Sequence, residues 1–198
     1  RAPPARQRVY ASGDGAFRAC AAHPNTGMHL FSPELRYSSS MCGIVGYVGK
    51  KDATPFLLAG LRALEYRGYD SAGLYVAGQG AVKRAGKVAE LAKAVPEGFS
   101  GTAGIAHTRW ATHGAPTEVN AHPHQSFAGE VWVVHNGIIE NHAELREELA
   151  AAGATFSSQT DTEVLASLIG SLYTKDVLLE DAVARALARV RGTYGIAV

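Results

Sequence analysis

The sequence predicts a layered α+β domain rather than a parallel α/β sheet. In the first half of the chain, strand-like segments are joined as hairpins, and in the second half helical patterns follow one another directly. Runs of strands followed by runs of helices are typical of α+β domains, whereas a parallel sheet needs strands and helices in alternation. With 198 residues, of which 46% are hydrophobic, the chain is long enough for one well-buried core and short for two.

Residues 43–110 predict four strands and two helices. Asp52 or Thr54 can cap the first helix, which ends near Gly68 because glycine readily adopts a left-handed backbone conformation. A Gly-Gln-Gly loop at 78–80 connects two strands as a hairpin. The strands are predicted at 43–49, 72–77, 81–85 and 102–110, and the second helix at 87–95.

Residues 111–128 are dense in Thr, His, Pro, Gly and Asn and show no period. Such a long irregular stretch inside a compact domain indicates function. A strand follows at 130–136 and turns at Gly137. Asn141 and Glu144 then have the spacing of a capping box at the start of a helix. That helix ends at 153, and two further helices at 160–172 and 179–190 precede a last strand at 193–198.

Charge and hydropathy exclude two classes of partner. The formal net charge is +1 with both signs interspersed, so the chain lacks the basic stripe that binds a nucleic-acid backbone. No apolar run approaches the roughly 18 residues of a membrane-spanning helix. The two cysteines, Cys20 and Cys42, lack the spacing of a metal or redox motif. Because a reducing compartment fits this usage, we expect a cytoplasmic protein without nucleic-acid or membrane partners.

Residues 1–40 differ in composition from the rest of the chain. They carry five arginines against two acidic residues, and they lack the apolar stretch of a secretory signal. We interpret this segment as a disordered tail, a propeptide or a segment translated upstream of the true start. Residues 41–198 form one domain. Because the last predicted strand has no polar tail after it, we predict that the domain is the N-terminal portion of a longer protein.

Cys42 directly follows Met41 and opens the first strand-like run. If the mature chain begins at Cys42, this residue carries both a thiol and a free α-amine. The pKa of such an amine is about 7.7–8.0 and that of a thiol about 8.5, so the amine can take the thiol's proton near neutral pH. If Met41 stays attached, the nitrogen is an amide and cannot act as a base. The alternative is a small buried cysteine on a core strand.

Three further features would serve a cysteine nucleophile. Attack on an amide carbonyl creates an oxyanion, and Asn136 with Gly137 at a strand end offers a side-chain and a backbone N–H to it. The alternative for this pair is an ordinary turn. Arg109 can grip a carboxylate in a bidentate pair, and Asp161 at a helix start can accept from an ammonium group. Each of these charges has a surface-charge alternative.

Eight histidines raise the alternative of a metal site. His122 and His124 lie in the irregular stretch, and His107, His113 and His135 can lie near them. Catalytic zinc needs oriented ligands and usually an added carboxylate, and no motif of that kind occurs in the sequence. We therefore predict no metal and no other cofactor, and we interpret these histidines as residues that order the loop.

Six motifs together carry a resemblance to a known family. They are CGIVG at 42–46, LEYRGYDSAG at 64–73, AHTRWATHG at 106–114, NAHPH at 120–124, HNGIIEN at 135–141 and TDTEV at 160–164. In this set and order, residues 41–198 resemble the glutaminase domain of the glutamine–fructose-6-phosphate aminotransferases (isomerizing), also called glucosamine-6-phosphate synthases, which is a class II glutamine amidotransferase domain. Amidophosphoribosyltransferase and asparagine synthase have different versions of these motifs.

The resemblance implies the N-terminal-nucleophile hydrolase fold, a four-layer αββα sandwich with two antiparallel sheets stacked between helical layers. Position by position, Cys42 would be the nucleophile with its own amine as general base, and Asn136 and Gly137 would form the oxyanion hole. Arg109 and Asp161 would hold the carboxylate and the ammonium group of glutamine. The resemblance also implies Thr112 and His113 in the same pocket, Trp110 in a mobile glutamine loop, and Arg67 near the nucleophile.

The implied reaction is hydrolysis of L-glutamine through a γ-glutamyl thioester, with release of ammonia. In the full enzyme, a homo-oligomer, a C-terminal isomerase region uses that ammonia to convert fructose 6-phosphate to glucosamine 6-phosphate. Without that region, we expect at most glutaminase activity from this chain. The alternatives are an inert binding or regulatory module of the same fold and a metal-dependent hydrolase built on the histidines.

Overall fold

The computed structural model describes residues 42–110 and 114–198. The described strands are β1 (Gly43–Val48), β2 (Ser71–Val76), β3 (Gly80–Ala85), β4 (Ala103–Arg109), β5 (His124–Gln125), β6 (Trp132–Ile139) and β7 (Gly192–Ala197). The described α-helices are α1 (Ala53–Leu64), α2 (Val88–Ala94), α3 (His142–Ala151), α4 (Asp161–Leu172) and α5 (Leu179–Leu187). The three interpretations of residues 1–40 lie outside the described residues, as do Met41, Thr112 and His113.

The described strands form two sheets in which every pairing is antiparallel. The strand order is β1-β4-β2-β3 in the first sheet and β5-β6-β7 in the second. Register places Ile44 of β1 and Gly73 of β2 on either side of His107 in β4. In the second sheet, Gly195 of β7 lies beside Asn136 of β6. The prediction of an α+β domain rather than a parallel sheet is confirmed.

Helices pack on each sheet, and the sheets pack on each other. Helices α1 and α2 contact the first sheet, whereas α4 contacts the second sheet and is itself flanked by α3 and α5. Tyr75 of β2 stacks on Trp132 of β6 across the two sheets, with ring centroids 4.9 Å apart. The order of layers is therefore helix, sheet, sheet, helix, which is the αββα sandwich that the resemblance implied.

Two separate apolar clusters fill the spaces between helices and sheets. The first apolar cluster, between the first sheet and its helices, includes Leu57, Leu61, Leu74, Val88 and Leu91. The second apolar cluster, between the second sheet and its helices, includes Val133, Ile139, Leu149, Leu165 and Ala186. Burying a large aliphatic side chain of this kind contributes about 1.5–3 kcal/mol relative to leaving it exposed. These clusters are the main source of stability in the described part of the chain.

Local sequence signals correctly predict the start of two helices. Asp52 caps α1, and its carboxylate accepts a hydrogen bond from the Thr54 backbone N–H at 3.0 Å. After α1, a short 3₁₀ turn leads to Gly68, whose φ of 73° lies in the region that favours glycine. Thr160 caps α4 by accepting from the backbone N–H of Glu163 at 3.3 Å. Helix α4 is buried over its first ten residues because it lies between the second sheet and two other helices.

Strand β6 continues through Gly137, although the sequence predicted a turn there. Gly137 has a φ of 124°, and a Cβ at this position would lie 2.0 Å from the carbonyl oxygen of Thr193 in β7. Only glycine fits so close to the neighbouring strand. The glycine therefore lets β6 keep its pairing with β7, and the strand extends to Ile139.

The predicted capping box at the start of α3 is wrong. Asn141 is the N-cap residue, but its side chain makes no hydrogen bond to the helix. It donates instead to the carbonyl of Arg189 at 3.0 Å and accepts from the backbone N–H of Arg191 at 2.8 Å. Glu144 is bonded to the guanidinium of Arg191 at 2.7 Å. The two side chains thus connect α3 to the segment before β7. The helix before that segment, α5, ends at Leu187, whereas the sequence predicted that it would continue to residue 190.

Among the helices of residues 42–110 and 114–198, none combines the length and the hydropathy that a membrane span requires.

Candidate active site

Cys42 immediately precedes β1 and lies beside the end of β4. Its Sγ accepts a hydrogen bond from the Trp110 backbone N–H at 3.1 Å, and the same thiol lies 3.7 Å from the Trp110 carbonyl oxygen. The pairing of Gly43 with Thr108 brings these two strand ends together. The antiparallel pairing of β1 with β4 therefore positions the thiol against the backbone of Trp110.

The backbone next to Cys42 is closely packed. The N–H of Gly43 donates to the side-chain hydroxyl of Thr108 at 3.1 Å. A Cβ on Gly43 would lie 2.6 Å from Leu64 Cδ1 and 2.9 Å from that hydroxyl. A larger residue after the cysteine would have to displace the side chains of Leu64 and Thr108, including the hydroxyl that accepts from this backbone.

The thiol of Cys42 is protonated in this environment. Burial raises its pKa, while the Trp110 backbone N–H and the positive charge of Arg109 act in the opposite direction. The carboxylate of Asp70 raises the pKa further. A thiol becomes a strong nucleophile as the thiolate, so Cys42 requires a neighbouring base to react near neutral pH.

Asn136 connects Cys42 to the second sheet. Its side-chain Nδ2 donates to the carbonyl oxygen of Cys42 at 3.1 Å, and its Oδ1 lies 2.8 Å from Nε2 of His107. His107 is fully buried, and burial lowers its pKa to about 3. Because the imidazole is neutral and an amide oxygen can only accept, the proton of His107 is assigned to Nε2.

Arg109 and Asp161 are both buried charged residues. The Arg109 side chain is 4% exposed and donates to the carbonyls of Gly114 and Ala115, at 3.3 and 3.4 Å. Burial lowers the pKa of its guanidinium, whereas Asp70, Cys42 and Asp161 raise it. Asp161, the first residue of α4, accepts from the backbone N–H of Ile139 at 2.9 Å. Its carboxylate therefore also fixes the end of the strand that carries Asn136.

Comparison with known proteins identifies the domain. The sequence pattern of the family described as "Glutamine amidotransferase domain" matches residues 97–197, just over half of the chain. The chain belongs to this family.

Curated relatives and solved structures agree with this assignment of the amidotransferase domain. Glutamine–fructose-6-phosphate aminotransferases (isomerizing) from Thermus thermophilus and Escherichia coli are 56% and 55% identical to it over 162 and 163 residues. These matches cover 80% of the chain and 26% of each relative, so the chain spans about a quarter of the length of these relatives.

Two solved structures resemble the amidotransferase domain at 28% identity, and each match covers 77% of this chain and 34% of the other. One is the glutamine phosphoribosylpyrophosphate amidotransferase of B. subtilis complexed with ADP and GMP, with a TM-score of 0.62. The other is described as the allosteric regulatory enzyme of purine biosynthesis, with a TM-score of 0.65. Both likenesses support the sandwich fold.

The remaining predicted site residues of the amidotransferase domain differ in their placement. Trp110 is 45% exposed, and its ring lies over Gly68, 3.8 Å from where a Cβ would be. The Arg67 side chain contacts its neighbour Tyr66, with Nε 3.2 Å from the phenol oxygen. Thr112 and His113 lie outside the described residues, so their predicted place in the pocket stays a prediction.

Four buried histidines form what we call the histidine cluster, where β4, β5, β6 and the start of α4 meet. Thr162 Oγ1 lies 3.0 Å from Nδ1 of His135 and 3.1 Å from Nε2 of His122. Nε2 of His124 lies 3.1 Å from Thr160 Oγ1. The fourth member, His107, contacts the ring of His122 with centroids 4.2 Å apart. Each imidazole of the histidine cluster thus contacts a threonine hydroxyl group or the ring of another histidine.

The four imidazoles of the histidine cluster are neutral. Burial lowers the pKa of all four imidazoles, and it lowers that of His135 even though Asp161 lies 3.9 Å away and raises it. The contact between His135 and Asp161 is therefore not an ion pair at neutral pH. Within residues 42–110 and 114–198, no three His, Cys, Asp or Glu side chains are grouped as metal ligands.

Sequence reasoning missed three residues that contact the site. His107 bonds to Asn136, Thr108 bonds to the backbone after Cys42, and Asp70 lies near both Cys42 and Arg109. The alternation of β4 contained a signal for the first of these, because His107 and Arg109 are two residues apart and share one face of the strand. Nothing in the spacing of the sequence indicated Asp70.

Proposed function

We propose that this amidotransferase domain hydrolyses L-glutamine to glutamate and ammonia through a thioester on Cys42. The observation that carries the proposal is the position of the thiol on the Trp110 backbone N–H, with the Asn136 amide bonded to the same cysteine. The nucleophile next to the first sheet and an amide donor of the second sheet thus lie side by side. That arrangement suits attack on a carboxamide carbon followed by stabilisation of the resulting oxyanion.

The chemistry balances with Cys42 supplying both nucleophile and base. Its α-amine takes the thiol proton as Sγ forms a bond to the carboxamide carbon of glutamine, and the carbonyl oxygen becomes an oxyanion. Asn136 Nδ2–H and the Gly137 backbone N–H donate to that oxyanion. When the carbon–nitrogen bond breaks, the ammonium group of Cys42 gives its proton to the leaving ammonia. Water then attacks the thioester with the amine as base, which releases glutamate and restores the thiol.

The substrate's own charges require two partners. Arg109 would hold the α-carboxylate, and Asp161 would accept from the α-ammonium group. Both side chains are buried, and the charge of Asp161 acts on Arg109. We also assign Thr112 and His113 to this pocket, Trp110 to the loop that covers glutamine, and Arg67 to the neighbourhood of the nucleophile.

In the whole protein, the ammonia would serve the synthesis of an amino sugar. The relatives named glutamine–fructose-6-phosphate aminotransferase are about four times as long as the matched segment. We propose that a further region converts fructose 6-phosphate to glucosamine 6-phosphate with this ammonia, in a homo-oligomeric enzyme. The cytoplasmic location and the absence of nucleic-acid partners stay predictions.

The proposal carries one chemical condition. In the printed sequence, the nitrogen of Cys42 forms a peptide bond with Met41, and an amide nitrogen cannot act as the base. The raised pKa of the half-buried thiol makes this base necessary. Cys42 is therefore active only after the bond between Met41 and Cys42 has been cut.

A cleavage experiment tests this condition on one folded molecule. A protease site is inserted between Met41 and Cys42 so that cutting leaves Cys42 as the first residue, and glutamate release is measured before and after the cut. Loss of a general base costs about 10²–10⁴-fold in rate, so we expect a rise of that size on cutting. The Cys42→Ser variant, cut in the same way, is the control and should stay inactive. Equal activity before and after cutting would exclude the amine mechanism.

A second function fits the uncut chain, whose Cys42 lacks a base and whose thiol is protonated. Such a chain would bind glutamine through Arg109 and Asp161 without hydrolysing it. Isothermal titration of the uncut chain with L-glutamine checks this function, with D-glutamine as the control for recognition of the α-carbon. Binding without glutamate release would indicate a binding module, and loss of binding in Arg109→Ala would assign it to this pocket.

A further inference from the structure

A continuous set of contacts leads from the middle of β4 to the nucleophile. Nε2 of His107 lies 2.8 Å from Oδ1 of Asn136, and Nδ2 of Asn136 lies 3.1 Å from the carbonyl oxygen of Cys42. We infer that His107 is a positioning residue for the glutamine hydrolysis proposed above: its Nε2–H fixes the Asn136 amide with the nitrogen toward Cys42. The inference rests on that proposed function and assigns to His107 no contact with substrate.

The need for such a residue follows from the shape of an amide. Rotating the terminal group of Asn136 by half a turn exchanges its nitrogen and oxygen with almost no change in shape. Only one of the two orientations presents an N–H toward Cys42, where an oxyanion would develop. The other presents an oxygen, which would repel both the Cys42 carbonyl and the oxyanion. Whatever contacts the far side of the amide therefore decides whether Asn136 helps or hinders the reaction.

His107 presents a donor to that far side. Since the side chain is fully buried and uncharged, one of its two ring nitrogens carries the only proton. With the proton on Nε2, the ring donates to Oδ1 and accepts nothing there. Half a turn of the amide would then set Nδ2–H against Nε2–H and Oδ1 against the Cys42 carbonyl. Both contacts would be lost together, so the Nε2 proton of His107 and the carbonyl oxygen of Cys42 together hold the amide in the productive orientation.

The surroundings of His107 hold the imidazole in place. It lies on an interior strand between Ile44 and Gly73. The ring of His122 lies against it with centroids 4.2 Å apart, and His122 is in turn bonded to Thr162 at 3.1 Å. A residue that orients a catalytic group acts best when its own rotamer is fixed by packing and hydrogen bonds. Packing against the ring of His122 provides that support here, together with the bond to Asn136 itself.

A double-mutant cycle on the cut chain distinguishes positioning from a purely structural role. Asn136→Ala should lower kcat by about 10²–10³-fold, and His107→Leu by about 10–100-fold, as for other residues that orient a catalytic group. In neither variant should KM rise, because the effect concerns the oxyanion. The double variant should be no slower than Asn136→Ala alone, because without the amide the histidine has nothing to orient. His107→Gln, which can offer an N–H at a similar place, should recover most of the loss.

Two outcomes would overturn the inference. If His107→Leu multiplies the loss in the Asn136→Ala background, the histidine acts on the reaction by another route. If His107→Gln is as slow as His107→Leu while both unfold at the same temperature as the parent chain, the donor is not what matters. Thiol titration with iodoacetamide on each variant measures the fraction of molecules with a reactive Cys42, and kcat is corrected for it.

A readout that needs no activity separates this inference from the proposed function. In the ¹⁵N-labelled Cys42→Ser chain, nitrogen NMR should show His107 as the neutral tautomer with the proton on Nε2. A proton on Nδ1 would overturn the inference even in an active enzyme, because Nε2 could not then donate to Asn136. If the cut parent chain hydrolyses no glutamine but His107 has the Nε2 proton, the proposed function fails and the orientation of Asn136 by His107 still holds.

Discussion

The two apolar clusters and the histidine cluster are all buried, but the former consist of apolar side chains and the latter of polar ones. The apolar clusters join each sheet to its helices with aliphatic side chains. The histidine cluster occupies the region where β4, β5, β6 and α4 meet, and it consists of imidazoles bonded to hydroxyl groups and to Asn136. Apolar contacts are non-directional, whereas hydrogen bonds fix orientation. The apolar clusters thus contribute most of the stability, and the hydrogen bonds of the histidine cluster fix the geometry of the site.

Neutrality allows the histidine cluster to exist at this depth. A buried charge without a partner is far more costly than a neutral imidazole. Burial lowers the pKa of every histidine in the cluster. Arg109 and Asp161 are charged side chains that are also buried, at 4% and 5% exposure.

The largest effect should come from the second apolar cluster. Leu165 is fully buried there, and replacing such a leucine with alanine removes about 2–5 kcal/mol from the free energy of unfolding. Urea denaturation of Leu165→Ala measures this loss, with Leu178→Ala as a matched control because Leu178 is 63% exposed. The folded fraction should keep its kcat. A loss of kcat without a loss of stability would show that the outer layers also shape the site.

Asn136→Ala should produce the reverse pattern in the polar region. Removing one oxyanion donor costs about 10²–10³-fold in kcat, or about 2.7–4 kcal/mol, with KM unchanged. Steady-state kinetics on the cut chain measures both constants. The result would contradict the assignment if KM rose while kcat stayed at its original value, because the side chain would then contribute to binding and not to the oxyanion.

Arg109→Ala should act mainly on KM. A contact to the substrate carboxylate exists in both the ground state and the transition state, so its loss weakens binding without slowing the chemical step. Hydrogen bonds to charged groups contribute about 1.5–3 kcal/mol, which corresponds to a rise in KM of roughly 10–150-fold. Arg109→Lys is the matched control, because it keeps the charge but loses the paired donors.

The structure adds one complication to this prediction. Arg109 also donates to the carbonyls of Gly114 and Ala115. Its removal would therefore loosen the backbone at these two residues. Limited proteolysis of both Arg109 variants shows whether that segment has opened. A fall in kcat equal to that of Asn136→Ala would remove the distinction between a binding and a catalytic residue.

The histidine cluster should make stability depend on pH. As pH falls below about 6.5, the unfolded chain binds protons at its histidines while the folded chain does not, so the folded state loses stability. Each such histidine contributes up to about 1.4 kcal/mol per pH unit, and for His107 the loss continues down to its folded pKa of about 3. Urea denaturation between pH 7 and 5 measures the slope.

His107→Gln provides the control for the pH dependence, because it removes one titrating group and keeps a hydrogen-bond donor. We expect its slope to be smaller by about one histidine's share, whereas Leu165→Ala should lower stability equally at every pH. An unchanged slope in His107→Gln would mean that His107 binds protons as readily in the folded as in the unfolded chain, so that folding does not lower its pKa.

Sequence reasoning succeeded where the deciding contacts are local. Asp52 bonds to a backbone N–H two residues away, and Thr160 to one three residues away. It failed at Asn141, whose partners Arg189 and Arg191 are 48 and 50 residues later. A capping side chain can bond to any donor that the fold brings near, and a short motif carries no information about such competitors. Gly137 was mistaken for a turn for the same reason, since its need for glycine comes from Thr193 in the next strand.

The candidate site shows the same difference between local contacts, which the sequence predicts, and long-range contacts, which it does not. Cys42 and Asn136 are 94 residues apart in the chain, and before the structure was known they were joined by the chemistry of an oxyanion and by the resemblance to a family. The pairing of β1 with β4 and the contact of β4 with β6 bring them together. The role of His107 stayed hidden because an isolated buried histidine in a strand looks like any other core residue until its partner is known.

The smallest effect should come from the surface bond between Glu144 and Arg191. Both glutamate oxygens are 2.7 Å from the guanidinium, yet the two side chains are 72% and 63% exposed. Exposed ion pairs contribute about 0.2–1 kcal/mol and are screened by salt, so Glu144→Gln should lose less than about 1 kcal/mol of unfolding free energy, and less still in 1 M salt. Asn141→Ala is the informative comparison, because Asn141 joins the same two segments through backbone partners. If the exposed pair stabilised the protein more than Asn141, the contrast between a directional buried network and a screened surface charge would not hold here.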